Sequence, residues 1–386
     1  MGDSTLKSPP SMVEGKLDME QLQIKDFTAE SSILEQPSTL FPKITGKIGD
    51  LVKDYNYTLY KLREETGTDT SPTAQNLDTI LKLIGTVKLH GAHADIVIHS
   101  DNTMQLQSRN VTGLSREKDL YNIAKSILPL EAEVLDLKKR YRERFMELNP
   151  GVEIKEEFST IIAGEWIGPG IQKGVAISDL PRKYFVILSV SINNAWLPNE
   201  PYADIHNEAV GIYNISRGGF YHEELVFNDV KRSREKLHAH TLAVEKECPF
   251  AKTFGISGVG EGIVWKAEHP LGSDARFWLK TKGLQHQVTN TEKLKNKPGG
   301  TELENAKNFA EAAVTVNRLE QGWAYLEEMG IERDMKGIGA FMKWVIHDVE
   351  VEERTEIEEM LINQALLKKT MTAMCKSWYM KRLDQM

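Results

Sequence analysis

The chain reads as an α+β protein, a mixed strand-and-helix domain followed by a small all-α carboxy-terminal domain. Three observations predict this. Between residues 80 and 283, short apolar runs alternate with polar residues at the strand period of two. From Thr301 onward, apolar residues recur at the helical spacing of three and four. Between them, Leu284 to Gly300 is polar, with Lys293, Lys295, Lys297, Pro298 and two glycines, which marks a linker. The expected division is a leader at 1–38, a mixed domain at 39–290 and a helical domain at 301–386.

Each element has its own signal. Residues 1–38 mix Ser, Pro, Lys and acids with few large apolar groups, so a flexible leader is expected. Phe41 to about Leu83 reads as mostly helical, with Ile48, Leu51, Val52, Tyr55 and Leu59 as its buried stripe, before Thr68 to Thr73 break the pattern. The apolar residues Ile80, Leu81, Leu83 and Ile84 then lead to Lys88, and alternation resumes at Ala92, Ala94, Ile96 and Ile98. Lys88 is thus expected at a strand end beside a bend at Gly91.

A helical segment runs from Arg116 to Asn149 and closes at Asn149-Pro150-Gly151. Strands are expected around Ile161–Gly168, Lys183–Val190, Gly258–Lys266 and Phe277–Lys282. The run Lys231 to Lys236 reads as a solvated helix face. In the carboxy-terminal part Thr301 and Glu304 form a capping box, and Phe309, Ala312, Val316, Leu319, Trp323 and Leu326 keep helical spacing. Further helices are expected near Gly339–His347 and Val351–Met380.

Composition bounds the function. With 386 residues, 40% hydrophobic, the chain suits two domains with a sizeable core. Its net charge of −8 means that contact with nucleic acid requires a local basic face. The two cysteines, Cys248 and Cys375, lie far apart without a Cys-x-x-Cys pair. That argues against a disulfide scaffold and a zinc site and favours core thiols in a reducing compartment. No apolar run approaches the roughly 20 residues that span a bilayer, and the amino terminus lacks the pattern of a secretion signal. A cytoplasmic or nuclear monomer with no membrane contact is expected. The glycines at 255–262 lack the Gly-Lys-Ser/Thr ending and following helix of a P-loop.

Five polar segments carry the chemistry. A lysine nucleophile must be unprotonated, which requires desolvation or neighbouring cations. Lys280 and Lys282, two apart on a strand, share one face, so they are the expected neighbours of Lys88 and holders of a polyphosphate. Glu165 in Gly164-Glu165-Trp166 and Glu261 in Gly260-Glu261-Gly262 each deliver an acid from a glycine-flanked strand, suited to ribose hydroxyls or a hydrated Mg²⁺. Phe185 is an aromatic that could stack on a base.

Lys88-Leu89-His90-Gly91, Gln107-Ser108-Arg109, Gly164-Glu165, Phe185, Glu261-Gly262-Ile263-Val264 and Lys280-Thr281-Lys282 resemble, in order, motifs I, Ia, III, IIIa, IV and V of covalent nucleotidyltransferases. With His90 in the first motif, the pattern is similar to ATP-dependent RNA ligases of the RNA ligase 2 type. The resemblance covers roughly residues 80 to 283. It implies an adenylyltransferase domain of ATP-grasp-like antiparallel sheets, with Lys88 as nucleophile toward ATP and Lys280 and Lys282 on the α-phosphate. Glu261 would order a metal-bound water, with Mg²⁺, or Mn²⁺ in its stead. Glu165 would hold the ribose, Arg109 a ribose or a 5′-phosphate, and Phe185 and Val264 would sandwich adenine.

The implied partner is RNA with 5′-phosphate and 3′-hydroxyl ends, joined through lysyl-AMP and RNA-adenylate, with residues 301–386 engaging the ends. His90 remains open between a packing and a ligand role. Two positions depart from the pattern: Ala92-His93 replaces Thr-Asn, making His93 a candidate site residue, and Val87 replaces an acid. The alternatives are a GTP-dependent capping-type guanylyltransferase, which usually has Asp at the position of His90, and a non-catalytic RNA-binding protein derived from a ligase.

Overall fold

The computed structural model describes residues 12–13, 16–17, 41–66, 80–117, 119, 121–287, 294 and 300–385. Most of the expected leader at 1–38, the Thr68–Thr73 break and much of the 284–300 linker lie outside the described residues. Within the leader stretch, β1 (Met12–Val13) pairs with β2 (Lys16–Leu17). The chain divides into two compact units, Met1–Gly283 and Leu284–Met386.

The first unit is built on two antiparallel sheets. In one, β10 (Phe220–Val226), β3 (Ile80–Lys88), β11 (Gly262–Ala267) and β12 (Trp278–Lys282) are neighbours in that order. In the other the order is β5 (Met104–Ser108), β4 (Ala92–Ile98), β6 (Thr160–Ile167), β7 (Tyr184–Ile192) and β8 (Ala195–Trp196), with β9 (Ile212–Asn214) parallel to β7. Alternation along the strands gives each sheet two distinct faces. On the four-stranded sheet, Leu81, Leu83, Val87, Ile263, Trp265 and Leu279 bury against α1 (Ile48–Thr66) and α4 (Val230–Lys246). On the six-stranded sheet, Ala94, Ile96, Ile162, Phe185, Ile187 and Val190 share a second core with α2 (Ile123–Ile127) and α3 (Glu131–Leu148). The short α5 (Pro249–Lys252) adds Phe250 to the first core.

Helix α1 buries Ile48, Leu51 and Tyr55 as its spacing predicts. The helical reading of 41–83 fails at its end, because Ile80–Lys88 is a strand whose alternate residues pack inward. The run Lys231 to Lys236 opens α4, where Ser233 alone is buried, as expected of a solvated face. Both cysteines are buried and free.

The second unit is helical: α6 (Glu302–Ala313), α7 (Val316–Glu328), α8 (Ile338–Glu352), α9 (Arg354–Glu359) and α10 (Gln364–Leu383). The Thr301–Glu304 capping box is formed in both directions. The helical spacing through Phe309 and Leu326 runs over two helices: Thr315 caps the second, leaving Val316 63% exposed. The helix expected at Val351–Met380 is broken where Leu361 takes a left-handed backbone and Asn363 caps α10. A polar device ties α7 to α8 within this unit. Arg318, fully buried, pairs with Asp348 at 3.0 Å and Glu353 at 3.1 Å and donates to the Ala313 carbonyl at 2.6 Å.

Removing one partner of a buried ion cluster leaves uncompensated charge. Arg318→Ala should therefore destabilise the carboxy-terminal unit by about 3–5 kcal/mol, read as a lowered denaturant midpoint; a midpoint unchanged within error would contradict this role.

Candidate active site between the two sheets

Strand register sets the first wall of the site. Lys88 lies opposite Gly262, which lies opposite Lys282; Thr86, Val264 and Lys280 form the next row, and Ile84, Lys266 and Trp278 the third. Residues directly opposite share a face. Lys88, Lys282, Lys280, Val264 and Lys266 therefore all project from one face, the one turned toward the six-stranded sheet. Glycine is required in the first row, because a Cβ on Gly262 would lie 2.0 Å from the Thr281 carbonyl oxygen. The amide of Lys280 donates to Thr45 at 2.8 Å, so the segment before α1 braces β12.

Glu261, 1% exposed, organises this wall. Its Oε2 accepts from Lys88 Nζ at 2.6 Å and lies 3.4 Å from His90 Nδ1, while Oε1 lies 2.9 Å from Lys282 Nζ. Burial alone would raise the Glu261 carboxyl, but the charges of Lys282, Lys88 and His90 outweigh it and hold the group well below the usual carboxylate range. The Lys88 side chain is 23% exposed, so the residue is not sealed in the core.

The opposite wall comes from the six-stranded sheet. Glu165 lies opposite His93 on β4 and Val186 on β7, so these three share the face toward the cleft. Glu165 Oε1 accepts the Gly91 amide at 2.8 Å. This fastens the turn after Lys88 to β6. Gly91 must be glycine, since a Cβ would meet the Trp166 carbonyl oxygen at 2.3 Å. Burial raises the Glu165 pKa, against the opposing pull of Lys88, His93 and the Gly91 amide.

Beside Glu165, His93 Nε2 meets Asp95 Oδ1 at 2.7 Å, and Asp95 Oδ2 accepts from Gln107 Nε2 at 2.9 Å. Arg109, exposed just past β5, is close enough for its charge to act on His93.

Phe185 requires a correction. It pairs with Trp166, not Glu165, and its fully buried ring lies in the second core directly against Gly164. The ring faces away from the cleft and cannot stack on a ligand there. The neighbouring Tyr184 pairs with Ile167 and is itself buried in the first core, stacked on Phe254. Val264 does lie on the cleft face and is partly exposed, whereas Val87 turns into the core.

Sequence reasoning passed over Lys266. It is buried, donates to Ser189 Oγ on the opposite sheet and to Asn199 Oδ1 at 2.7 Å, and holds Nζ 4.2 Å from the centre of the Trp278 ring. Burial pulls its pKa down to about 7. Its two-residue spacing from Val264 was the available signal, because period two puts both on one face. Asp95, two residues after His93, was legible in the same way.

Among the described residues, no group of three or more His, Cys, Asp or Glu is arranged to hold a metal. A single buried carboxylate, Glu261, next to two lysines and His90 suits a hydrated Mg²⁺ that arrives with phosphates rather than one in a protein cage. No helix among the described residues is long and apolar enough to cross a membrane.

A model of the RNA ligase family matches residues 81–282, more than half of the chain. The chain therefore belongs to the RNA ligase family. Similar solved structures include the RNA ligase of Naegleria gruberi with pyrophosphate, at 16% identity over 56% of this chain and 52% of that one, TM-score 0.34. A mutant of that ligase with AMP and manganese matches at 15% identity over 53% and 50%, TM-score 0.33. The chain thus spans about half the length of the solved structures it matches. No curated protein matches the chain.

Two predictions follow from the walls. Phe185→Leu should lower stability, by about 1–3 kcal/mol for an imperfectly filled core site, and leave nucleotide affinity unchanged; a selective loss of affinity in calorimetry would restore a ligand role. For Lys266, the folded pKa of about 7 lies below its ordinary 10.5, so between these values the unfolded chain binds more protons. Stability contributed by this group should therefore rise with pH across that window. Lys266→Met should remove the rise in paired denaturation curves, and identical pH slopes would refute the depressed value.

Proposed function

We propose that the chain is an ATP-dependent RNA ligase that joins 3′-hydroxyl and 5′-phosphate RNA ends through a lysyl-AMP and an RNA-adenylate. The observation that carries this reading is the Lys88–Glu261–Lys282 cluster in a cleft between two antiparallel sheets, in a chain of the RNA ligase family. Lys88 Nζ would attack the α-phosphorus of ATP; a P–N bond forms, the bond to pyrophosphate breaks, and the amine releases its protons to solvent. Lys282 and Lys280, on the same face, would neutralise charge growing on the phosphate oxygens. Glu261 holds both Lys88 and Lys282, which positions the nucleophile, and its carboxylate would help hold a hydrated Mg²⁺. Bound Mg²⁺ supplies charge neutralisation of the polyphosphate.

Glu165 would accept from ribose hydroxyls, and Val264 would cover one side of the base. An oxygen of an RNA 5′-phosphate then attacks the lysyl-AMP phosphorus, and the Lys88 nitrogen leaves with a proton. Attack by a 3′-hydroxyl on that 5′-phosphate expels AMP and seals the strand. Residues 39–290 are the adenylyltransferase domain in this reading. The helical residues 301–386 engage RNA ends.

Incubation with α-labelled ATP or GTP tests the reading. ATP should leave an acid-labile label on the protein, lost in Lys88→Ala. Labelling by GTP alone would instead indicate a capping-type enzyme, and no label from either would leave a non-catalytic binding protein. Nicked duplexes with RNA or DNA on each side then test the substrate: sealing only with DNA on both sides would rule out RNA.

A further inference from the structure

The carboxy-terminal unit segregates its charge. Residues 302–363 carry fifteen acids against six lysines and arginines, whereas α10 carries five lysines and arginines and no acid along its 20 residues. The excess of cations belongs to one helix and not to the unit. A solvated helix face ordinarily mixes both signs, because acids four residues from lysines support the helix. Around Lys368, Lys369 and Lys376, the positions four residues before and after hold only Gln, Ala, Thr or Met.

The buried stripe of α10 is Leu367, Met371, Cys375 and Tyr379, which turns the other side outward. Lys368, Lys369, Lys376 and Lys381 are exposed, and among the described residues none of them is in an ion pair. Arg382 differs, since it reaches Glu320 at 3.2 Å and lies over the rings of Trp323 and Trp378. Cations in a last turn meet unpaired carbonyls and the helix dipole, a local reason for Lys381 and Arg382. That reason does not reach Lys368, Lys369 and Lys376, which fall within about 100° of arc around the axis. A polyanion is the matching partner: phosphates relieve the mutual repulsion of the lysines, and release of their counterions favours the complex.

The form of the array selects which part of an RNA it fits. From Lys368 to Lys381 the helix advances about 20 Å, while each strand of a duplex carries a charge about every 3.4 Å. Several consecutive phosphodiesters can occupy such a face, and a single terminal phosphate cannot. Lysine is a point charge without the planar fork that reads base edges. The ring of Trp378 is already stacked on Phe341, centroids 5.5 Å apart and 10° from parallel. A bilayer is a poorer fit, because an interfacial helix turns an apolar side to the lipid, and the apolar side of α10 lies in the core of its own unit.

Resting on the ligase reading, we infer that the Lys368, Lys369 and Lys376 face of α10, extended by Lys381, binds the phosphate backbone of the RNA tract beside the ends to be joined. The contact is independent of base sequence and of the terminal groups. It positions the strand and takes no part in the chemistry.

The test measures the affinity of the full chain for an RNA duplex as salt rises from about 50 to 200 mM. Combined Lys368→Gln, Lys369→Gln and Lys376→Gln should weaken binding roughly 10- to 100-fold at low salt. It should also lower the slope of log affinity against log salt by about two to three, near one per phosphate contact. Arginine at the same three positions keeps the charge and should keep the slope. The glutamine variant should unfold at the wild-type denaturant midpoint, so that the slope reports contact and not folding. Its loss should be equal for two duplex sequences and for 5′-phosphate and 5′-hydroxyl ends.

An unchanged slope would overturn the inference. So would a loss confined to 5′-phosphorylated duplexes, which would make the face a site for ends, or a loss of binding to phosphatidylserine vesicles with RNA affinity intact, which would assign it to a membrane. Labelling with α-labelled ATP separates this from the reading beneath it. A wild-type protein that forms no lysyl-adenylate removes the ligase reading, whereas one that forms it and shows no change in slope between wild type and the glutamine variant removes this inference alone.

Discussion

A carboxylate with almost no solvent contact has to be neutralised where it lies, and Glu261 is neutralised by lysines from two different strands. Lys88 comes from β3 and Lys282 from β12, while Glu261 stands just ahead of the strand between them. The ion cluster therefore constrains the register of three strands at the edge of the cleft. Taking charges out of water costs several kcal/mol per ion, and only mutual attraction with good hydrogen bonding offsets this. Such a cluster is a poor device for stability alone. It makes more sense as an arrangement that keeps a nucleophile and a cation at fixed places in a site that must later hold phosphates.

The two walls of the cleft differ in charge and in support. The four-stranded wall is lysine-rich and braced by the segment at Thr45, while the six-stranded wall carries Glu165, His93 and Asp95. They are tied at one point by Glu165 and the Gly91 amide and at another by Lys266 and Ser189. Neither tie tolerates much change. Gly91 has no room for a side chain, and Lys266 sits where burial works against its own charge. Rigid support of this kind lets a few polar groups act at defined positions, which is what catalysis by positioning needs.

Much of the architecture could be read from residue order. The strand periods around Lys88, Glu165 and Lys280, the helical spacing beyond Thr301 and the capping box at Thr301–Glu304 all have local causes and appear where those causes act. Lys280 and Lys282 share a face because a strand has period two, and no partner strand is needed to say so. Where local rules were insufficient, the misses have physical reasons. Helical spacing continues across Thr315 because a capped junction can preserve the periodicity of two helices, so the spacing alone does not show that Val316 is exposed. Leu361 in a left-handed backbone is not something leucine announces.

Sequence by itself determined the chemistry available: a lysine at a strand end, two more at a spacing of two, acids flanked by glycine, and the order in which they occur. These follow from residue identity and strand period, which are local. Only the tertiary structure decided which of them meet. That Lys88 and Lys282 share Glu261 depends on the pairing of β3, β11 and β12. That Phe185 turns into the second core while Tyr184 packs into the first depends on how β7 registers with β6, next to a bulge at Ala163 and Gly164. A shift of one residue in pairing exchanges the two faces of a strand, and register is set by partners distant in the chain.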